Sequence, residues 1–144
     1  MLERHQIIIV GCGLLGSSLA TKLSIRGYDV TVIDGDANAL DLLGEGFSGF
    51  SDVGDGTNPE VLERDGIKEA SYVLSFTNND NDNTVVAELA KRIYGVEHVY
   101  ARLRDEHKAR LLEPYGIEIL CPRRLCEQRF AAMSGIEVPG DDEL

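Results

Sequence analysis

The sequence predicts an α/β fold in which helices cover both faces of a parallel sheet. Short runs rich in valine and isoleucine alternate six times with segments whose apolar residues recur at helical spacing. The first run leads directly into a glycine pattern, Gly11, Gly13 and Gly16, which a helix and a second strand follow. Together these features are typical of a Rossmann-like, doubly wound parallel sheet of six strands in the order 3-2-1-4-5-6.

The first strand–helix–strand unit lies within residues 6–36. Gln6–Val10 is a continuous apolar run, as expected for a strand buried on both faces. Val30–Ile33 is a second run of this kind, and Asp34 ends it. The helix between them is marked by apolar residues at helical spacing, namely Leu15, Leu19, Ala20 and Leu23. Gly27 supplies a stop for that helix.

The spacing within this unit favours nucleotide binding. Gly11 allows a tight turn after the strand, Gly13 lets the backbone approach a pyrophosphate, and Gly16 lets the helix pack on the strand. The phosphates would lie at the helix N-terminus, where free N–H groups and the helix dipole favour negative charge. Asp34 follows Gly16 by 18 residues, close to the ~20 expected for the acid that binds ribose hydroxyls.

A carboxylate at position 34 also predicts which nucleotide binds. It accepts hydrogen bonds from a ribose 2′-OH and repels a 2′-phosphate, which favours NAD(H) or an adenine nucleotide over NADP(H). The alternative is a fold of the same kind in which the glycines only turn the chain and Asp34 is solvated.

The elements that follow are shorter. Ala37–Leu43 is predicted as a helix with Asp36 as its N-cap. Ser48–Val53 is a partly polar run, which suits a strand at the edge of the sheet. Asn58 precedes a proline, and this pair predicts the start of a helix over Glu60–Asp65.

The second half of the chain repeats the alternation. Ser71–Phe76 is predicted as the fourth strand, and residues 77–83 as a very polar loop. His98–Leu103 and Ile117–Cys121 are predicted as the fifth and sixth strands, separated by a helix that Asp105 caps. The helix after the polar loop is marked by an apolar face, Val85, Val86, Leu89, Ala90 and Ile93.

A final helix is predicted to begin at Pro122. Its apolar residues form a stripe, Leu125, Cys126, Phe130 and Met133. Two interpretations stay open at this point: the stripe joins two copies of the chain in a dimer, or it packs on the domain's own sheet.

Length and charge limit the remaining possibilities. Residues 1–136 are predicted to form one nucleotide-binding domain, and residues 137–144 an acidic, frayed tail. The net charge of −11 argues against nucleic acid as a partner, because phosphate contacts need a basic surface. No apolar run is long enough to span a membrane, so we expect a soluble, cytoplasmic chain without direct membrane insertion.

We expect neither a catalytic site nor a metal site. The three cysteines form no Cys-x-x-Cys pair, so zinc is not expected. Cys121 and Cys126 are expected in the core or at an interface, whereas Cys12 either fills the tight glycine turn or is accessible to oxidants. The histidines are expected to be solvated or structural, and they are His5, His98 and His107.

The predicted topology brings polar segments together at one edge of the sheet. In a doubly wound sheet, ligands bind outside the carboxyl ends of the strands, at the point where the strand order reverses. Four segments follow predicted strands there: residues 11–16, 34–36, 55–57 and 77–79.

Longer motifs make the chain similar to a known family. GDGT follows the third predicted strand, TNNDNDN the fourth, and LLEPYGIEILCP spans the sixth. With the glycine pattern, VTVID and VYARLRD, these motifs resemble the regulator-of-potassium-conductance domain family over about residues 5–122. That family comprises nucleotide-binding domains of Trk/Ktr-type potassium uptake regulators, potassium channels and potassium efflux antiporters.

The resemblance implies a nucleotide contact from each strand end. The pyrophosphate would lie against the glycine loop, formed by Gly11, Cys12, Gly13, Leu14, Leu15 and Gly16. Asp34 would hold the adenosine ribose, with Asp36 close by. The adenine would be flanked by Asp55, Gly56 and Thr57. Thr77 and Asn78 would lie beside the far phosphates or the nicotinamide end.

Two further positions determine how much positive charge is available to the phosphates of a bound nucleotide. Arg102, at the end of the fifth strand, would direct positive charge toward a phosphate or across a subunit interface, unless it pairs with Asp105 or Glu106. Leu14 stands where many members of the family have arginine, which lowers the expected affinity for triphosphates. NAD(H) is therefore the first expected cofactor, ahead of AMP, ADP or ATP.

The resemblance implies a regulatory domain rather than an enzyme. Nucleotide binding would change the geometry of a homodimer or larger ring, and so gate a potassium channel or transporter subunit that holds the domain at the inner membrane. An NAD-dependent oxidoreductase and a ligand-free assembly module are the alternatives. Hydride transfer needs a substrate site and usually a general acid or base, and the sequence contains no Tyr-x-x-x-Lys pair.

Overall fold

A computed structural model describes residues 5–144, which form one six-stranded sheet with flanking helices. The strands are β1 Gln6–Val10, β2 Asp29–Asp34, β3 Phe50–Val53, β4 Tyr72–Ser75, β5 His98–Arg102 and β6 Glu118–Leu120. The α-helices are α1 Leu14–Ile25, α2 Pro59–Arg64, α3 Asp80–Glu88, α4 Glu106–Leu112 and α5 Pro122–Ser134. The first four residues of the predicted domain lie outside the described part of the chain.

The strand order confirms the predicted doubly wound sheet. It runs β3-β2-β1-β4-β5-β6, and every pair of neighbours is parallel. β1 lies at the centre, where Ile9 pairs with Val32 of β2 on one side and with Leu74 of β4 on the other. The order reverses between β1 and β4, which is where a ligand cavity is expected in this topology. β3 forms an edge, as its partly polar sequence predicted.

The sheet buries apolar side chains on both faces, but unevenly. On one face α2, α3 and α4 cover a continuous core that includes Leu62, Val86 and Leu112. On the other face α1 and a 3₁₀ helix at Ala37–Leu42 cover β1 and β2. Further along this second face the side chains are only partly buried, including Tyr72, Tyr100 and Leu120. This part of the sheet, over β4, β5 and β6, is referred to below as the open face.

α1 packs through small residues rather than through its leucines. The fully buried side of the helix carries Gly16, Ser17, Ala20 and Ser24. Of the predicted apolar positions, Ala20 is buried, Leu19 and Leu23 are half-buried, and Leu15 is exposed. The reason is the close approach of helix to strand: an added Cβ at Gly16 would lie 2.0 Å from the carbonyl oxygen of Gly11. Large side chains are excluded from the contact line and lie on its flanks.

Several element boundaries differ from the prediction. α3 begins at Asp80, inside the predicted polar loop, because the Asn79 side chain caps it by accepting the N–H of Asp82. Asp80 and Asp82 in the first turn then complement the helix dipole. The segment at Ala37–Leu42 is a 3₁₀ helix, although Asp36 caps it as predicted by accepting the N–H of Asn38.

The final helix does not pack on its own sheet, so that interpretation is wrong. α5 has no buried residue, and its apolar stripe points to solvent. Cys126 is exposed, whereas Cys121, just before the helix, is buried. The acidic tail is not frayed as predicted: it turns back and forms ion pairs through Asp141 and Asp142. Across residues 5–144, no helix combines the length and apolar character needed to cross a bilayer.

Candidate functional site

A cavity of about 560 Å³ opens at the carboxyl ends of the strands. Four short segments line it, residues 10–13, 33–36, 54–57 and 76–79. Asp82 and Val86 of α3 and Ala39 and Leu42 of the 3₁₀ helix complete the lining. The four segments follow β1, β2, β3 and β4, so the topology brings together the stretches that the sequence singled out. The cavity has the size and location of a ligand site in an open α/β sheet.

The three loop glycines have different roles in the geometry. Gly11 has a φ of +107°, and a Cβ there would lie 2.5 Å from the carbonyl oxygen of Phe76. Gly11 and Gly16 are therefore needed for folding. Gly13 is the N-cap of α1, and a Cβ built there has no neighbour within 4 Å among the described residues. The open space beside Gly13, next to the free N–H groups that begin α1, is suited to a phosphate.

Asp34 is held in place by the backbone. One carboxylate oxygen accepts the N–H of Cys12 at 2.7 Å, and the other accepts the N–H of Asp36 at 2.8 Å. These bonds join the end of β2 to the glycine loop and fix the orientation of the carboxylate. A carboxylate has about four acceptor positions, so acceptor capacity remains for the two hydroxyls of a ribose.

Cys12 is a packed residue of the loop. Its side chain is buried, and burial together with the nearby Asp34 carboxylate raises the pKa of its thiol. A thiol with a raised pKa is a poor nucleophile, because the thiolate is the reactive form. The structure therefore favours the interpretation that Cys12 fills the turn, rather than the oxidant-accessible one.

The β3–α2 loop presents Asp55, Gly56 and Thr57 to the cavity. The Thr57 N–H and hydroxyl both donate to one oxygen of Asp55, at 2.9 and 2.7 Å. These two hydrogen bonds lower the pKa of Asp55, so the group is ionised at neutral pH. Gly56 is buried, and a Cβ there would lie 2.4 Å from Val10, so only glycine lets this loop approach β1.

Thr77 is positioned by Asn83, a residue that the sequence analysis did not identify as part of the site. Asn83 is buried, and its side-chain oxygen Oδ1 accepts the Thr77 N–H at 2.8 Å and the Thr77 hydroxyl at 2.7 Å. Its amide group donates to the carbonyl oxygens of Thr77 and Arg102, at 3.0 and 2.7 Å. Asn83 therefore joins the cavity wall to the end of β5.

Asp80 makes a second connection of the same kind. Its carboxylate accepts the N–H groups of Arg104 and Asp105, each at about 3.0 Å. The spacing Thr77, Asp80, Asn83 could have revealed this cluster, since residues three apart share one side of a helix. This spacing belongs to the TNNDNDN motif that contributes to the family resemblance, but the prediction of residues 77–83 as one loop gives Asp80 and Asn83 no place on a helix.

Four predicted contacts do not line the cavity: Leu14, Leu15, Gly16 and Arg102. Leu14, which follows the lining residue Gly13, is 84% exposed, and Gly16 is buried against Gly11. Arg102 pairs with Leu120 of β6 on the open face, and its carbonyl oxygen bonds to Asn83. Among the described residues Arg102 makes no ion pair with Asp105 or Glu106. Asp105 caps α4, and Glu106 faces the arginines of α5. Nucleotide contacts by these four residues stay predictions.

The charged residues of the cavity wall are all acidic: Asp34, Asp36, Asp55 and Asp82. Neither lysine nor arginine occurs among the described lining residues. An anionic ligand would therefore depend on backbone N–H groups and the α1 dipole for its phosphates.

The histidines lie away from this cavity. His5 and His98 flank Tyr72 at the opposite ends of the strands, where the ring of His98 stacks on that of Tyr72 at 4.5 Å between centroids. Residues 5–144 also contain no group of three or more histidine, cysteine or acidic side chains placed to hold a metal ion.

These features define a class: a doubly wound domain with the glycine turn, the helix N-terminus and the fixed carboxylate of a dinucleotide-binding fold. Comparison with known families is more specific. Residues 7–122 match the family model of the TrkA-N domain. The chain belongs to the TrkA-N domain family, which confirms the resemblance inferred from its motifs.

Two of the similar proteins are named as a potassium uptake protein and as a homolog of one. The chain is 38% identical over 111 residues to the Trk system potassium uptake protein TrkA of Streptomyces coelicolor, covering 77% of this chain and 50% of that protein. It is 32% identical over 107 residues to a TrkA homolog of Pyrococcus abyssi, covering 74% of this chain and 47% of the homolog. The chain thus spans about half the length of these relatives.

Solved structures share the fold at lower identity. The TrkA-N domain of the inner membrane protein ybaL from Escherichia coli has a TM-score of 0.79 and 16% identity, covering 92% of this chain and 98% of that one. The GsuK channel bound to NAD has a TM-score of 0.73 and 23% identity, with 90% and 23% covered. The Kef C-terminal domain of Shewanella denitrificans in its AMP-bound form has a TM-score of 0.70 and 22% identity, with 90% and 80% covered.

Proposed function

We propose that this domain binds NAD(H) or an adenine nucleotide in the cavity between β1 and β4. The observation that carries the proposal is the pair of features around Gly13 and Asp34. Open space lies beside the N-terminus of α1, and a carboxylate is fixed nearby with acceptor capacity to spare. In this arrangement the pyrophosphate lies at Gly13 and the adenosine ribose at Asp34 and Asp36.

The other two strand ends complete the site. Asp55, Gly56 and Thr57 flank the adenine, and Thr77 and Asn78 face the far phosphate or the nicotinamide. Support comes from their joint presence in the cavity wall. The TrkA-N and regulator-of-potassium-conductance neighbours include one structure bound to NAD and one bound to AMP.

The acidic wall bears on the choice of nucleotide. Each added phosphate brings negative charge into a cavity whose charged side chains are carboxylates. With Leu14 where many members of the family have arginine, NAD(H) and AMP are favoured over ATP.

Family membership supports a regulatory role. We infer that the nucleotide controls a potassium channel or transporter subunit in the membrane, since the named relatives belong to Trk potassium uptake systems. On this account the domain works at the cytoplasmic side and reaches the membrane through its partner. Control requires that the nucleotide bind two conformations of the assembly with different affinity.

A homodimer is the assembly that the exposed surfaces favour. Leu125, Phe130 and Met133 of α5 are between 47% and 67% exposed. The open face of the sheet is a second incompletely buried apolar surface on the same molecule, and it carries Arg102 next to Leu120. Mutual coverage of these two surfaces in a two-fold arrangement would bury both of them.

The two alternative functions, an oxidoreductase and a ligand-free assembly module, require different features in the cavity. An oxidoreductase needs a general acid or base near the nicotinamide. Thr77, Asn78 and Asn79 on that wall are not suited to this role, and the acids of the wall lie at other strand ends or on α3. An assembly module needs no ligand, and side chains would then be expected to fill the phosphate position, which is open beside Gly13.

Titration calorimetry combined with small-angle scattering tests the proposal. We expect NAD⁺, NADH or AMP to bind with a measurable dissociation constant, and saturation to change the scattering profile of the assembly. Absence of binding would support the assembly module instead. Binding that leaves both the profile and the dimerisation constant unchanged would contradict the regulatory role while leaving the site itself intact.

A further inference from the structure

The acidic carboxyl-terminal segment is bound to the surface of the domain. Residues 138–142, referred to below as the strap, lie along α5 and reach α4. Asp142 forms an ion pair with Arg110 of α4. A carboxylate oxygen of Asp141 lies 2.9 Å from a guanidinium nitrogen of Arg123 on α5, and this contact lowers the pKa of Asp141. The strap thus joins two helices through two acidic side chains.

Arginines are concentrated on the surface that receives the strap, where they lie beside Asp105 and Glu106. The chain has a net charge of −11, yet seven of its 14 lysine and arginine residues lie within residues 102–129. Three of them, Arg104, Arg110 and Arg123, line the cleft that holds Asp141 and Asp142. A cluster of arginines is suited to carboxylate ligands, because each guanidinium offers several donors in a fixed plane.

Ion pairs rather than apolar packing connect α5 to the rest of the domain. The helix buries none of its residues. Arg123 and Arg124 approach Glu106 of α4 at 3.6 and 3.9 Å, and the two strap contacts add to this network. Because these groups are exposed, their attraction is weak individually and sensitive to salt.

The strap lies on one side of α5 and leaves the apolar stripe of that helix free. Together with Arg124, Glu127, Gln128 and Ala131, which are spaced to share one side of a helix, it lines a common cavity. Leu125, Phe130 and Met133 remain exposed on a different side. A helix held in this orientation presents its apolar stripe outward.

We propose that the strap is an intramolecular acidic ligand of the arginine cluster, and that it fixes α5 on α4 so that the apolar stripe faces a second copy of the chain. The first half of this proposal depends only on the contacts above, and the second half rests on the proposed homodimer. Since the contacts are exposed ion pairs, salt releases the strap and loosens α5.

Backbone ¹⁵N relaxation of the strap tests the first half. At about 0.01 M salt the Debye length is about 30 Å, and at about 1 M it is about 3 Å. We expect strap order parameters near those of rigid backbone, about 0.85, at low salt, and below about 0.6 at high salt. A strap that is mobile at both salt concentrations, or rigid at both, would overturn the proposal.

Variants with reversed charge identify the ion pair that keeps the strap ordered. Arg110→Glu should free the strap at low salt, and combining it with Asp142→Arg should restore order, because the reversed pair attracts again. Arg129→Glu is the control for the change in net charge, since Arg129 of α5 is exposed and makes no ion pair among the described residues. If the strap loses order equally in the Arg110 and Arg129 variants, the net charge of the chain, and not the ion pair between Arg110 and Asp142, controls the order of the strap.

Sedimentation equilibrium tests the second half of the proposal, the orientation of α5 for dimerisation, separately from the first. If the strap orients α5 for dimerisation, Arg110→Glu weakens the dimer by roughly tenfold and the reversed pair restores it. An ordered, salt-sensitive strap with an unchanged dimerisation constant would overturn the second half. If the wild-type chain is monomeric under all conditions, the homodimer proposal fails while the relaxation result still decides the strap.

Discussion

At the scale of single residues, Asp34 shows how the backbone prepares a binding group. Its two oxygens are held by the N–H groups of Cys12 and Asp36. A ligand that binds there meets an acceptor that is already oriented, so little side-chain entropy is lost on binding. The same bonds connect β2 to the glycine loop, which means that Asp34 contributes both to binding and to the shape of the loop.

Asn83 is the residue whose loss we expect to disturb the cavity wall most. It is buried, and its side chain accepts from Thr77 and Ser75 and donates to Thr77 and Arg102. Asn83→Ala removes the side-chain partner of the Thr77 N–H and of the Thr77 and Arg102 carbonyl oxygens, so we expect a loss of about 2–3 kcal/mol in the free energy of unfolding, measured in urea. Asn81→Ala, on the exposed side of the same helix, should stay within about 0.5 kcal/mol of the wild type.

The buried carboxyl group of Asp65 is expected to give the free energy of unfolding an unusual pH dependence. Its side chain is only 3% exposed, and one of its oxygens has no hydrogen-bond partner among the described residues. Burial, and then the hydrogen bond to the neighbouring Asp52, raises its pKa to about 6. An unfolded aspartate has a pKa near 3.9. Between about pH 4 and pH 6 the folded state therefore binds more protons than the unfolded state, and stability falls as pH rises through this window.

Asp65→Asn should remove that contribution. The amide resembles the protonated acid, so we expect the variant to be more stable than the wild type at pH 7 by roughly 1–2 kcal/mol, and about equal at pH 4. Urea unfolding across this range measures the difference. Glu69→Gln, at an exposed position, should keep the wild-type slope. A variant that is less stable than the wild type at pH 7 would show that the Asp65 carboxylate is needed in its charged form.

At the scale of elements, one glycine of the loop is needed for folding and another for nucleotide binding. Gly16→Ala places a Cβ 2.0 Å from the Gly11 carbonyl oxygen, so we expect a loss of about 1–3 kcal/mol or more in stability. Gly13→Ala meets no described neighbour within 4 Å, and its stability should change by less than about 1 kcal/mol. Its methyl group would instead occupy the phosphate position, so calorimetry should show weakened nucleotide binding. Unchanged affinity in Gly13→Ala would place the phosphate elsewhere.

Most elements could be predicted because they follow local rules. The buried strands β1 and β2 are continuous runs of β-branched residues, and Asp36, Asn58 and Asp105 each cap the helix that they were expected to cap. The start of α3 was missed because Asn79 competes with several polar neighbours for the cap. The small-residue face of α1 was missed because its packing depends on the distance between helix and strand, which helical periodicity does not contain.

At the scale of the whole molecule, the negative charge of the chain predicts how affinity depends on the ligand's charge. The cavity wall carries carboxylates, without lysine or arginine among its described residues. In the absence of divalent cations we expect affinity to fall from AMP to ADP to ATP, because each phosphate adds repulsion. Raising the salt concentration should reduce the differences. Calorimetric titration measures the series, and an ATP affinity above that of AMP would contradict the expected effect of the acidic wall.

The location of the site could be predicted, but its supporting contacts could not. Topology alone brings four strand ends to one cavity, and the sequence identified all four. The role of Asn83 depends on a hydrogen-bond network between β4 and β5, and the outward orientation of α5 depends on ion pairs with residues 138–142. Such contacts join segments that are distant in the chain, and no local pattern encodes them.

Thermal unfolding with NAD⁺, NADH, NADP⁺, AMP, ADP and ATP tests the central claim most directly. A ligand at about 100 times its dissociation constant stabilises the folded state by ~2.7 kcal/mol, which corresponds to roughly 5–10 °C for a domain of this size. We expect this shift with NAD(H) or AMP, a smaller one with NADP⁺, and its loss in Asp34→Ala. Asp41→Ala, at an exposed position outside the cavity wall, should keep it. The absence of a shift with every nucleotide, or an equal shift in Asp34→Ala, would contradict the account.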